Sequence, residues 1–177
     1  MVTIKPAAPI DGAAVLPDDL VDQYVKPAGD QVALLSAFRL TALDWVERHT
    51  GRSLTRRRWI SRFDGFEMTL RLPRSPVREV VAVSYSGGAG AIDLAPADWR
   101  LIGDDMLNPA AGRWPVSAGP VTVVFDAGYD NVSQDAPGLR IAALMMVKHL
   151  FDGGSLDDAP ATIAMLIDAQ YRTPVMA

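Results

Sequence analysis

The chain has 177 residues, 49% hydrophobic and 21% charged, a size at which a single domain buries about two-thirds of its unfolded surface. Its net charge of -4 gives no overall attraction for polyanions, so duplex binding is not the default expectation. The absence of cysteine excludes disulfides, thiolate metal sites and thiol nucleophiles, and no stretch approaches the roughly 18 apolar residues of a membrane span, so a soluble protein with no membrane partner is expected.

Residues 1–17 carry Pro6, Pro9 and Pro17 among alanines and read as an extended or flexible arm. A short helix is predicted from Asp18 and Asp19, whose carboxylates suit a first turn, to the residue before Pro27. Asp30 is the N-cap candidate of the next helix. There Leu35, Phe38, Ala42, Trp45 and His49 recur at steps of three and four, and Gly51 closes the run. The period then falls to two. Trp59, Ser61 and Phe63, then Met68, Leu70 and Leu72, then Val81, Val83 and Tyr85, and later Val121, Val123 and Phe125 alternate with more polar neighbours.

Glycines in "DGF" (64–66) and "SGGAG" (86–90) supply tight connections, and Pro73 and Pro76 separate two strands. Trp99 to Ile102 is a further short strand, followed by a long irregular loop, "NPAAGRWPVSAGP". Helix then returns. Asp135 as cap candidate and Pro137 open a segment with Leu139, Ala142, Ala143, Met146, Val147 and Leu150 inward, stopped at Gly153 and Gly154. Asp158 and Pro160 repeat the device for a last helix, with Ile163, Leu166, Ile167 and Gln170 or Tyr171 on its inner stripe. Helices, then strands, then helices do not alternate as a doubly wound sheet requires. The expected class is α+β, with a largely antiparallel set of strands between the first helices and the last two.

No constellation in this sequence reads as chemistry. His49 and His149 sit near helix ends, where an imidazole favours the dipole, and neither has a nucleophile or ordered carboxylate at a recognisable spacing. The pairs Asp18/Asp19, Asp104/Asp105 and Asp157/Asp158 fall at helix starts and turns. "DAGYDNVSQD" (126–135) spaces several oxygens but lacks the glycine and terminal glutamate of an EF-hand loop. "SGGAGAIDL" has no lysine and no following helix to make a phosphate cradle, and reads as a hairpin turn. Met145, Met146 and Met165 are expected in the core, although methionine also suits a surface that packs against another subunit. No catalytic, cofactor-binding or metal-ligating residue is assigned.

The arginines are the remaining signal. On a strand over residues 55–63, Arg56, Arg58 and Arg62 face one side, and Arg57 shares the other with Trp59 and Phe63. They can pair with carboxylates of the sheet or of a neighbour, touch the backbone of passing DNA, or line a protein interface.

Three segments together carry a resemblance. "LDWVERHTGRSLTRRRW", "LRLPRSPVREVVAVSY" and "VTVVFDAGYDNVSQDAPGLRIAALMMVKHLFD" are similar, in order and spacing, to the head-to-tail connector, or adaptor, proteins of long-tailed bacteriophages and related gene transfer agents, over about Asp18 to Tyr171. The resemblance implies a small helical bundle with an antiparallel β-rich insertion between the long first helix and the two C-terminal helices. It makes a single adaptor domain over residues 1–177, with helices (18–51), the β-rich insertion (55–127), C-terminal helices (136–171) and a tail (172–177), while the flexible arm (1–17) matches no motif of the family. It implies a non-enzymatic virion protein, present in the host bacterial cytoplasm before assembly. Its dodecameric ring would sit between the portal protein and a stopper or tail-side protein, and DNA would pass through the lumen without specific binding. The portal grip falls on Ala159 to Ala177, with Tyr171, Arg172, Thr173, Pro174, Val175, Met176 and Ala177 as contact residues. Net acidity suits such a conduit, which leaves Arg56, Arg57, Arg58 and Arg62 for contacts between subunits. Two other readings stay open: a nucleic-acid-binding module built on the Arg56–Arg62 strand, and a hydrolase using His149 and Asp152.

Overall fold

The computed structural model describes residues 2–28, 31–88, 90–168 and 171. The secondary structure is α+β, as expected, and the chain divides into two compact units, residues 1–9 with 56–128 and residues 10–55 with 129–177.

The second unit is helical. Asp11 caps α1 (Gly12–Val15) by accepting from the amides of Ala13 and Ala14 at 3.1 and 3.2 Å. α2 (Asp18–Val25) begins with its two aspartates and ends at Lys26 in a left-handed conformation. α3 (Val32–Thr50) stops at Gly51, whose φ of 68° suits a residue without Cβ. The expected cap Asp30 lies outside the described residues. On α3 the buried face runs through Leu35, Ala42, Leu43, Val46, Glu47 and Thr50, while Phe38 and Trp45 are only partly buried. The seam is thus rotated by about one position from the predicted stripe, toward α5.

Asn131, not Asp135, opens the later helices. Its side chain accepts from Ser133 N to cap α4 (Val132–Asp135), and Asp135 accepts in return from Asn131 N. α5 (Pro137–Phe151) starts on Pro137, packs against α2, α3 and α6 (Ala161–Asp168), and buries Leu139, Ala142, Ala143, Met146, Val147 and Leu150.

The first unit is β-rich. Five antiparallel strands are ordered β1-β2-β8-β4-β5, with β1 Thr3–Pro6, β2 Arg57–Phe63, β4 Val77–Gly87, β5 Gly90–Asp93 and β8 Val121–Ala127. Three more are ordered β3-β7-β6, with β3 Leu70–Arg71, β6 Trp99–Ile102 and β7 Met106–Pro109. Both sheets contribute to one core, in which Trp59, Phe63, Val83, Val121, Val123 and Phe125 meet Leu70 and Leu107. The glycine-rich stretch is a hairpin turn, with Gly87 opposite Gly90.

Three expectations are corrected. The supposed arm is structured. Thr3–Pro6 pairs with β2, from Thr3 opposite Arg62 to Pro6 opposite Trp59, at an edge where proline's missing donor is tolerated. Val15 and Leu16 are fully buried, and their carbonyls accept from Arg140 Nε at 2.9 Å and Arg39 Nη1 at 3.1 Å. In β4 the register slips between Val80 and Ala82, leaving Val81 as the extra residue of a bulge, 38% exposed, while Val80 and Val83 keep the inward positions. Met68 precedes the short β3 and is 89% exposed, whereas Leu70 and Leu72 are buried as predicted.

Candidate functional site

Strand alternation divides the arginine cluster. Arg57, Trp59, Ser61 and Phe63 share one face of β2, and Arg58, Ile60 and Arg62 share the other, while exposed Arg56 precedes the strand. On the inner face, the guanidinium groups of Arg57 and Arg74 lie 4.5 and 4.9 Å from the centroid of the buried Trp59 indole. This is a cation–π arrangement made stronger by exclusion of water.

On the outer face, Arg58 grips Asp126, its register partner on β8, through Nε to Oδ1 at 2.9 Å and Nη2 to Oδ2 at 3.2 Å. That hydrogen bond, reinforced by the charges of Asp126 and then Glu79, raises the pKa of the guanidinium above its already high ordinary value. Arg62 lies between Thr3 on β1 and Thr122 on β8, with no ion-pair partner among the described residues. Half-buried Ile60 and Val124 sit between these polar groups, so the outer face is mixed in character. Such a surface fits a protein neighbour better than a polyanion, because its strongest cation is already matched by a carboxylate.

In the helical unit, Arg52 heads the arginine run that follows Gly51, and the strand pattern of residues 55–63 left it without a role. The residue follows Gly51, and its amide is held by the Thr50 hydroxyl at 3.2 Å, which itself donates to Val46 O at 2.7 Å. Two residues on, Leu54 N donates to the buried Glu47 carboxylate at 2.8 Å. Arg52 Nε donates to the carbonyl of Tyr171 at 2.9 Å, and Nη1 to the Tyr129 hydroxyl at 2.9 Å. Tyr171 is the one C-terminal contact candidate within the described residues. Arg172, Thr173, Pro174, Val175, Met176 and Ala177 lie outside them.

The histidines hold local structure. His149 Nε2 is 3.0 Å from Ser155 O and must be its donor, since a carbonyl only accepts. Gly154 leaves room for that ring, because a Cβ there would lie 2.2 Å from it. Asp152 is taken by Lys148, so His149 and Asp152 do not form a relay. His49 stacks on Trp45 with centroids 4.9 Å apart and lies 3.5 Å from Asp168.

Among the described residues no three His, Asp or Glu side chains group to hold a metal ion. In the 126–135 stretch, Asp126 serves Arg58 and Asp135 serves the Asn131 amide. Met146 is buried and Met145 partly so, but Met165 is 72% exposed, correcting its expected place in the core. It stands two residues from both Ile163 and Ile167, which puts it about 200° around α6 from that buried pair.

No family model and no curated protein matches the sequence. Solved structures do. The chain is 21% identical to a chain in the neck of an empty gene transfer agent particle computed with C6 symmetry, at a TM-score of 0.80, covering 99% of this chain and 98% of that one. A chain in the virion of a native gene transfer agent particle is matched at the same identity, coverage and TM-score. A chain in the neck of a native particle, computed with C12 symmetry, is 23% identical with a TM-score of 0.75, over 99% of this chain and 98% of that one. At these identities the likeness establishes a shared fold.

Proposed function

We propose that this protein is a structural subunit of the neck of a phage-like particle, of gene transfer agent type, and that it acts as the head-to-tail adaptor. One observation carries the proposal: the fold likeness to neck chains extends over 99% of this chain and 98% of theirs, so it takes in the helical and the β-rich unit alike. The resemblance of three sequence segments to connector proteins supports the same reading.

In this role the chain makes and breaks no bond. Copies form a ring, proposed as a dodecamer, by heterologous contacts in which one face of a subunit fits a different face of the next. The outer face of the five-stranded sheet, with Arg56, Arg58 and Arg62 beside Asp126 and Glu79, is proposed as one such face, and Arg57 supports it from beneath through Trp59. The C-terminal part, Ala159 to Ala177, is proposed to grip the portal. A stopper or tail-side protein completes the stack, and DNA passes through the lumen without specific binding.

The nucleic-acid reading loses its main support. Two of its four arginines, Arg57 and Arg58, are engaged with an indole and a carboxylate of the same unit. The test is co-sedimentation of the purified protein with its cognate portal. The proposal expects one fast-moving complex with equal numbers of the two chains, and separate sedimentation of both at micromolar concentration would refute it.

A further inference from the structure

The helical unit contains a clamp that the adaptor role does not require. Gly51 turns the chain out of α3 in a left-handed conformation, and the Thr50 hydroxyl holds the next amide, so the Arg52 side chain starts from a fixed backbone. Its guanidinium then spans two partners distant in sequence. Nε donates to the main-chain carbonyl of Tyr171, 119 residues on, and Nη1 donates to the hydroxyl of the buried Tyr129. The same guanidinium lies 5.8 Å from the centroid of the Tyr171 ring. That ring is seated on α5, where a Cβ on Gly138 would come within 3.0 Å of it, closer than carbon atoms pack without displacement. The Tyr171 amide donates to Ile167 O at 3.0 Å, so both ends of its peptide backbone and its ring are held.

We infer that Arg52 is a positioning residue: with Tyr129 and Gly138 it clamps Tyr171 and fixes the point from which the C-terminal residues 172–177 depart. The guanidinium suits this task because its donors sit in a rigid fork, which a lysine ammonium does not reproduce. With Tyr171 already held, a partner that binds the adjoining residues has no need to order it, so the clamp raises the affinity of that contact. This last step rests on the proposed portal contact of the C-terminal segment. The clamp itself does not.

The experiment uses the full-length chain and four variants, Arg52→Ala, Arg52→Lys, Tyr129→Phe and Gly138→Leu. Two readouts are taken: the rate at which chymotrypsin cuts after Tyr171 in native buffer, followed by the mass of the released hexapeptide, and affinity for the cognate portal. Arg52→Ala and Gly138→Leu are expected to speed that cut by about tenfold or more, and Tyr129→Phe and Arg52→Lys by less, with little change in Tm. Gly138→Leu puts a better helix former at the second residue of α5, so it remains decisive if Arg52→Ala fails to fold.

Portal affinity is expected to fall in the same order as the cut accelerates. Cutting at the wild-type rate in Arg52→Ala and Gly138→Leu would overturn the clamp. Faster cutting with unchanged portal affinity, in a protein whose binding is abolished by deleting residues 172–177, would overturn its role in docking. If that deletion leaves portal binding intact, the portal contact of the segment falls on its own, and the cutting rates still decide whether Arg52 holds Tyr171.

Discussion

Arg58 and Asp126 stand directly opposite one another on β2 and β8, joined by two parallel hydrogen bonds of 2.9 and 3.2 Å. A fork-to-fork pair of this kind fixes geometry, but with Arg58 half exposed the water around it screens the attraction. The double variant Arg56→Ala, Arg58→Ala is therefore expected to lower Tm by no more than about 3 °C. It is also expected to leave retention on duplex DNA at low salt unchanged, because Arg58 is already matched by the Asp126 carboxylate. A strong, salt-sensitive retention of the wild-type protein that this variant loses would revive nucleic-acid binding.

Gly51 ends α3 with a φ of 68°, and no neighbouring atom lies within 4 Å of where its Cβ would be. Substitution by alanine therefore meets no steric clash, and its cost is the left-handed backbone alone. The expected loss of stability is about 1–2 kcal/mol, measured by urea denaturation with an unchanged m-value. A neutral or stabilising effect would show that the helix end can rearrange.

Glu47 is 3% exposed and accepts from the Leu54 amide at 2.8 Å, tying the end of α3 to the segment that leads into the strands. Glu47→Ala strands that amide and is expected to cost about 1–3 kcal/mol, whereas Glu47→Gln keeps an acceptor oxygen and costs less. Equal losses in the two variants, measured by denaturant unfolding, would assign the effect to charge and not to this hydrogen bond.

Phe125 is fully buried at the centre of β8, between Trp59 on β2 and Val80 on β4. Phe125→Ala is expected to destabilise the β-rich unit by about 3–5 kcal/mol. Hydrogen exchange resolved along the chain should place the loss of protection in the β-rich unit, residues 1–9 and 56–128.

The long elements were legible because each carried its period and its stops. α5 has proline at its start and buried positions at the predicted steps, and β8 alternates through Val121, Val123 and Phe125 as expected. Of the short elements, β6 (Trp99–Ile102) was read as it stands, but others were not. β1 and α1 have four residues each, too few to show a period, and they hold because Arg39, Arg140 and the edge of β2 supply partners from elsewhere in the chain. β7 and α4 escaped for the same reason.

The bulge at Val81 inverted one residue of an otherwise correct alternation, since a period-two pattern carries no mark of an inserted residue. The split of the arginines between two faces was readable from the strand period, yet their partners Asp126, Trp59 and Arg74 were not. Arg52 was hidden most deeply, because its role depends on a tyrosine carbonyl 119 positions away.

The central claim is that this chain builds a neck ring, and cryo-electron microscopy of the protein mixed with its cognate portal tests it most directly. The account predicts a closed ring of this chain stacked coaxially on the portal, with the C12 symmetry in which a neck of the same fold has been computed. Portal particles that carry no added density, or single copies bound without closing into a ring, would contradict it.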